Sequence, residues 1–232
     1  MAEINTSISE TLNITATITA KSRTNLSLHH LFAACRFASR IGEIEIQNLS
    51  QPFGPFWEEI LQNSLGVATL SVACIECYAN ELYFEPSAIA PTLNPHATML
   101  IAELLDNESI LRKYSAALTF RCSARLDFGV QPVQNAEALI KLRNAVVHFR
   151  PEWFEEQDRH EKLSKILQHK FKTSPFLPNE PVFPRAWASH DFSIWALKST
   201  VAFLEYFFSQ AGIECPLNTF KPYLSKLSKN AL

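Results

Sequence analysis

The feature that most constrains the fold of this chain is a long apolar segment between two breaks. Residues 56–84 contain no proline and follow the sequence Gln-Pro-Phe-Gly-Pro at 51–55. A continuous helix over this segment would be roughly 43 Å long. Apolar residues occupy nearly every face of it between Leu65 and Ala79, and a helix with that pattern is normally buried by its neighbours. The segment therefore predicts a helical bundle packed around one central helix.

The composition also favours one all-α domain. The 232 residues include only five glycines against 17 phenylalanines, and 47% of them are hydrophobic. This is enough apolar material for a large core, but few glycines are available for the many tight turns of a β-sandwich or barrel. The net charge of -2 indicates no general nucleic-acid-binding surface, so any contact with RNA must come from a local patch. We expect a single helical domain over residues 28–232.

Residues 1–27 show a different pattern. Apolar and polar residues alternate from Leu12 to Ala20, as in a β-strand with one buried face. A lone strand needs a second strand, from another copy of the chain or from a short edge elsewhere; otherwise it stays a flexible extension. We predict a short β-like N-terminal extension that carries no catalytic residue.

The cysteines and the N-terminus indicate the compartment. Five cysteines, an odd number, and a polar N-terminus without an apolar signal core predict a cytoplasmic protein. Cys74 and Cys77 form a CxxC pattern inside the long apolar helix, so we expect small core residues there rather than zinc ligands, and no metal or other cofactor. Glu76 interrupts the longest apolar run before 18 residues, which predicts a soluble protein with no membrane partner.

Apolar periodicity and helix-breaking residues predict the other helices. Asn94 and Ser189 are expected to be N-caps, and Gly212 is expected to end a helix. The proline-rich segment 173–187 is expected to be a loop, either a lid or a crossing over the bundle. The predicted helices cover about 28–46, 95–105, 109–120, 132–150, 152–171, 191–211 and 217–229.

The residues with the most specific chemistry lie near the end of the helix that Pro151 stops. Arg143 is followed directly by Asn144 and, with four residues between them, by His148. A match to this spacing alone is weak, because about one arises by chance in such a chain. This match lies on a helix with a clear apolar stripe, formed by Leu139, Leu142, Val146 and Phe149.

Two other arginine and histidine pairs have a similar spacing but lack that helix. Arg23 precedes His29 and His30 in the extended N-terminal segment, and Arg185 precedes His190 after the proline-rich loop. We keep the second pair as a reserve site, because an anion binds favourably near a helix N-terminus.

The stretch from Leu139 to Pro151 resembles the HEPN family of all-α domains, whose ribonuclease members carry an arginine, usually followed by a polar residue, and a histidine four to six residues further on. The resemblance covers about residues 55–150. It implies an antiparallel helical bundle and a metal-independent endoribonuclease of a toxin, abortive-infection or stress system. Such enzymes leave 2′,3′-cyclic phosphate and 5′-hydroxyl ends. In one departure, Arg150 stands where toxins with a nucleotidyltransferase antitoxin tend to carry tyrosine.

The residue types suit RNA cleavage. Histidine titrates near operating pH and can move the proton of a 2′-hydroxyl, so His148 is the predicted acid or base. The planar guanidinium of Arg143 binds two phosphate oxygens, and Asn144 shares a face with His148 and could orient it. Supporting roles are expected for Arg150, in the phosphate cradle, and for the neighbouring residues Glu76 and Asn80 of the long helix. Glu76 is either an ion-pair partner of Arg143 or a residue on a narrow wet edge.

Helix geometry suggests that two chains contribute to the site. At about 100° per residue, Arg143 and His148 lie roughly 140° apart, so they do not converge on a straight helix. Either the last turn distorts, or the Arg143 side chain folds back, or a homodimer pools two motifs in one groove, as the HEPN resemblance implies. A stripe of Ala136, Ile140 and Val147 is the predicted partner surface.

Two functions remain open from the sequence. The first is the endoribonuclease, with RNA as substrate and an antitoxin protein as a further partner. The alternative is a non-catalytic HEPN-like module that binds a nucleotide or a protein, with Arg143 as an anion anchor.

Overall fold

The computed structural model describes residues 24–84, 89–90, 92–153, 158–220 and 222, and it is all-α. Val182–Ala186 forms an irregular turn, in which Phe183 has extended backbone angles (φ -112°, ψ 138°), and a 3-10 turn spans Pro216–Thr219. The main helices in chain order are α1 (Ser27–Asn48), α2 (Phe56–Phe84), α3 (Pro95–Leu105), α4 (Ile110–Cys122), α5 (Gln131–Val147), α6 (Asp158–Leu167) and α7 (His190–Ala211).

Helix α2 is the centre of the bundle, as its apolar pattern predicts. It contacts α1, α4, α5 and α7, and Val67, Val72 and Ile75 are completely buried. The buried hydroxyl of Tyr114 on α4 donates a hydrogen bond to the carbonyl oxygen of Ile75 at 2.7 Å. Cys74 is also fully buried, and burial raises the pKa of its thiol well above the ordinary value. The residue is therefore part of the core, as expected.

Hydropathy alone does not distinguish α2 from a membrane span. Among the described helices of at least 18 residues, α2 is apolar enough to cross a membrane by length and composition. The core helix of a soluble protein passes the same test, and 44% of the apolar window is buried in the bundle. The apolar character of α2 is thus weak evidence for a span.

The predicted helix caps are confirmed. The Asn94 side chain accepts a hydrogen bond from the Ala97 amide at 2.9 Å, and the Ser189 hydroxyl accepts one from the Phe192 amide at 3.0 Å. Gly212 adopts a left-handed conformation with φ of +60° just after α7. These residues satisfy backbone groups that a helix end leaves without partners.

Helix α6 is shorter than the charged pattern suggests. The prediction of a helix over 152–171 is wrong at both ends, since α6 spans Asp158–Leu167. Glu152 is not helical; its carboxylate accepts hydrogen bonds from the amides of Arg159 and His160, each at 3.2 Å. Glu152 therefore precedes α6 and satisfies two of the backbone amides that the first turn of a helix leaves without partners.

Several predictions concern residues outside the described ranges. The β-like extension at Leu12 to Ala20 falls there, as does most of the helix expected over 217–229. The HEPN-like arrangement of the helices stays a prediction, while the all-α class is confirmed.

Candidate active site

Helix α5 carries the predicted motif and ends on it. Val133, Leu139 and Leu142 are buried, on a helix that packs against α2 and α7. The helix ends at Val147, and His148 adopts a non-helical conformation with φ of -108° and ψ of 40°. Its amide still donates to the Asn144 carbonyl oxygen at 2.9 Å. His148 is therefore the first residue after the helix, with an exposed side chain.

Arg143 is directed toward α2, where it pairs with Glu76. The Arg143 Nη2 atom lies 3.3 Å from Glu76 Oε2, and the two side chains are 22% and 43% exposed. Both predicted roles of Glu76 therefore apply together, since the carboxylate is an ion-pair partner of Arg143 and also lies at a wet edge of the bundle. The Nε atom of Arg143 is buried without a hydrogen-bond partner in the structure.

Asn80 lies one turn after Glu76 but belongs to a separate cavity. Its Oδ1 atom accepts a hydrogen bond from Lys113 Nζ at 2.9 Å, and both residues line a cavity with Tyr83. Of the two residues predicted to support the site, Glu76 therefore contacts Arg143, whereas Asn80 contacts Lys113 on α4.

His148 lies in a cavity between the end of α5 and α6. The cavity has a volume of about 380 Å³ and extends down to the apolar residues Leu163 and Phe183. The described residues that line it include the carboxylate of Glu152 and several cationic residues. These cationic residues are Lys141, Arg150, Arg159 and Lys162.

The charges of this cavity are only partly balanced. Lys141 pairs with Glu137 at 2.8 Å, and Arg159 lies 3.9 Å from Glu152. Arg150 and Lys162 form no ion pair with any residue that the structure describes. Within the described part of the chain, Arg150 and Lys162 thus leave positive charge that attracts an anion. This charge supports the expectation of a phosphate next to His148.

Arg143 and His148 are not neighbours within this cavity. Arg143 is absent from its lining, whereas Arg150 lines it together with His148. Asn144 and Val147 are exposed between the two motif residues on α5. Of the predicted partner stripe, Val147 is 52% exposed, but Ala136 is fully buried in the core. The predicted stripe is therefore not one continuous exposed surface, because only its C-terminal member, Val147, is exposed.

His160 on α6 contacts the segment that follows α5, and the sequence did not predict a role for this residue. Its Nε2 atom lies 3.1 Å from the Arg150 carbonyl oxygen, which can only accept, so Nε2 carries the proton. The imidazole stacks against the Phe149 ring, with 5.5 Å between centroids and 23° between planes. The apolar spacing of the sequence predicts that Phe149 belongs to the core stripe of α5. No sequence pattern links this residue to His160, which lies eleven residues later, so the contact between them was not predicted.

A second titratable cluster lies at the N-terminus of α7. The His190 amide donates to Glu45 Oε1 at 2.8 Å, and burial raises the pKa of Glu45 to about 7. His190 is buried, and its pKa is lowered by burial. Arg185 pairs instead with Glu180 at 3.2 Å. The cavity at His190 does not include Arg185, so the reserve pair is not a joint site.

Within the described part of the chain, no group of three or more His, Cys, Asp or Glu side chains is placed to hold a metal ion. Comparisons with protein-family models, with curated proteins and with solved structures found no match to this chain.

Proposed function

We propose that this protein is a metal-independent endoribonuclease of HEPN type, acting in a toxin, abortive-infection or stress system. The observation that carries the proposal is the position of His148, which lies in a cationic cavity beside Arg150. A histidine next to cations that have no ion-pair partner among the described residues can move protons while the cations hold a phosphodiester. The resemblance of the motif to HEPN ribonucleases supports the same chemistry.

The proposed reaction needs a base, an acid and a cation. An imidazole takes the proton of the 2′-hydroxyl, and the 2′-oxygen then attacks phosphorus. The bond from phosphorus to the 5′-oxygen breaks, and a second imidazole donates a proton to that oxygen. The products are a 2′,3′-cyclic phosphate and a 5′-hydroxyl end. In a homodimer, His148 of each copy would supply one of the two imidazoles.

The exposed end of α5 supports a shared site. If Arg143 of one copy contacts the site at His148 of the other across a two-fold axis, the same contact occurs a second time, since residue i contacts residue j and j contacts i in such an interface. Arg150 would hold the phosphate beside His148, and Asn144 would orient the imidazole. Because the Arg143 and Glu76 pair is partly exposed, a phosphate can compete with Glu76 for the guanidinium.

Cleavage of single-stranded RNA in EDTA tests the proposal. We expect the wild-type protein to cut, and the products to carry 2′,3′-cyclic phosphate. His148→Ala should lower the rate by about 100-fold or more, as expected for loss of a general acid or base. His29→Ala, at an exposed histidine on α1, is the matched control and should cut normally. Equal cutting by wild type and His148→Ala would refute the assignment.

One observation favours a second function, a non-catalytic module that binds a nucleotide. Glu76 holds the Arg143 guanidinium outside the cavity of His148. In this case the wild-type protein would not cut RNA, but a nucleoside monophosphate would raise its melting temperature. Arg143→Ala would abolish that increase without loss of folding.

A further inference from the structure

The cavity beside His148 contains an aromatic surface that the reaction itself does not use. Phe149 lines the cavity and is 48% exposed. Its ring is stacked on the imidazole of His160, which is only 6% exposed. A half-exposed ring backed by a buried one offers its outer part to a ligand.

This aromatic pair is held rigidly. His160 is fixed by the contact of Nε2 with the Arg150 carbonyl oxygen and by an edge-on contact with Phe183, with 5.0 Å between centroids. Phe149 also contacts Phe183, at 6.2 Å between centroids. A ring that is already immobile loses little conformational entropy when a flat ligand stacks on it.

Cationic residues line the same cavity as Phe149. Arg150 follows Phe149 directly, and Lys162 contributes to the lining from α6. An aromatic platform beside cations is the combination that binds a nucleotide, because the base stacks and the phosphate is neutralised. The volume of about 380 Å³ lies in the range of pockets that bind small molecules, roughly 300–1,000 Å³.

We infer that Phe149 forms a nucleobase-stacking subsite for an unpaired nucleotide next to the scissile phosphate, with His160 as its positioning residue. The inference rests on the proposed ribonuclease function. It restricts the substrate to single-stranded RNA, because a base in a duplex is already stacked and paired. It also implies tolerance of sequence, since every base has a flat aromatic face.

Binding of RNA to a protein that cannot cut tests the subsite. We would place each variant in the His148→Ala background and measure the Kd of a fluorescently labelled eight-nucleotide RNA by anisotropy. Phe149→Leu keeps an apolar side chain without a ring, and we expect it to weaken binding about five- to 100-fold. Phe149→Trp keeps a ring and should bind within about threefold of the parent. Phe128→Leu, at a similarly exposed phenylalanine outside the cavity, should have no effect.

Two further measurements make the result specific. A duplex of the same sequence should bind the parent protein and the Phe149→Leu variant equally, because it offers no free base. Melting temperatures of all variants show whether each one is folded. The subsite is refuted if Phe149→Leu binds single-stranded RNA as the parent does, or if Phe149→Trp loses as much affinity as Phe149→Leu in a folded protein.

The subsite and the ribonuclease can fail separately. If the protein with His148 intact does not cut RNA but binding still depends on the ring at position 149, the ribonuclease proposal fails and the subsite is supported. If the protein cuts RNA and Phe149→Leu changes neither Kd nor KM, the subsite alone is overturned.

Discussion

At the scale of single residues, the ion pair between Arg143 and Glu76 would control how readily the guanidinium reaches a phosphate in the proposed reaction. The pair is 3.3 Å long, and Glu76 is 43% exposed. Water screens such a pair, so breaking it costs about 0.2–1 kcal/mol. A carboxylate at this position therefore holds Arg143 in place, yet a phosphate can displace it.

The first prediction concerns this competition. Glu76→Gln removes the negative charge and leaves an oxygen that can still accept from Arg143. We expect the Kd for single-stranded RNA, measured in the His148→Ala background, to fall by up to about fivefold. Glu108→Gln removes a carboxylate from a comparable pair with Arg112 on α4 and should leave the Kd unchanged. Weaker binding by Glu76→Gln would show that the carboxylate positions Arg143 rather than competing for it.

Glu45 makes stability depend on pH. Burial raises its folded-state pKa from 4.5 to about 7, so the folded protein keeps a proton that the unfolded chain releases. The stabilisation from this proton is present at low pH and is lost as the pH rises through 7. His190 acts in the opposite direction, since its lowered pKa destabilises the fold as the pH falls. Asp191 and Lys172 line the same cavity as Glu45 and His190.

The second prediction isolates the Glu45 contribution. Glu45→Gln imitates the protonated carboxyl group and can still accept the hydrogen bond from the His190 amide. The difference in melting temperature between the variant and the wild type should increase by roughly 3–6 °C in favour of the variant from pH 5 to pH 8. This corresponds to a change of about 1–2 kcal/mol in the relative free energy of unfolding. Glu43→Gln, at an exposed position on the same helix, is the matched control. A constant difference for Glu45→Gln would contradict the raised pKa.

At the scale of elements, the N-terminus of α6 holds the segment that carries the site. Glu152 satisfies the amides of Arg159 and His160, while His160 binds the carbonyl oxygen of Arg150. The negative charge of Glu152 is also favourable near the positive end of the helix dipole. The segment that follows α5 is thus attached to α6 by polar contacts as well as by the Phe149 ring.

The third prediction tests this attachment. Glu152→Ala removes both hydrogen bonds at the start of α6 and should cost about 0.5–2 kcal/mol, as loss of an N-cap does. For a chain of this size, the melting temperature should fall by roughly 2–6 °C. Glu152→Gln keeps an acceptor oxygen and should recover part of the loss. An unchanged melting temperature for Glu152→Ala would mean that the segment does not depend on this contact.

The elements that the sequence predicted best are those whose limits are set locally. Helix α2 has the predicted bounds, because Pro55 precedes it and its apolar pattern is continuous. The predicted start of α6 was wrong because the charged sequence after Pro151 suits a helix throughout, and only the tertiary role of Glu152 excludes it. Likewise Phe149 continues an apolar spacing, although the helix ends before it. The pairing of Glu76 with Arg143, in contrast, was one of two alternatives that the burial cost of a carboxylate left open, the other being a wet edge.

At the scale of the whole molecule, the proposed homodimer can be tested at two of the exposed apolar surfaces in the described part of the chain. One is the end of α5, where Val147 is exposed between the motif residues. The other is α3, where Met99, Leu100 and Leu104 are exposed. Only the first would bring two copies of His148 into one groove. The face that pairs therefore decides whether the proposed active site is shared.

The fourth prediction distinguishes these faces. A buried charge opposes association, so Val147→Glu should convert a dimer into a monomer, measured by light scattering after size-exclusion chromatography. It should also lower RNA cleavage by about 100-fold, because each monomer keeps only one imidazole. Leu104→Glu places the same charge on α3 and should leave both the dimer and the cleavage rate intact. If Leu104→Glu yields the monomer instead, the copies pair through α3, each His148 faces solvent alone, and the shared-groove mechanism is refuted.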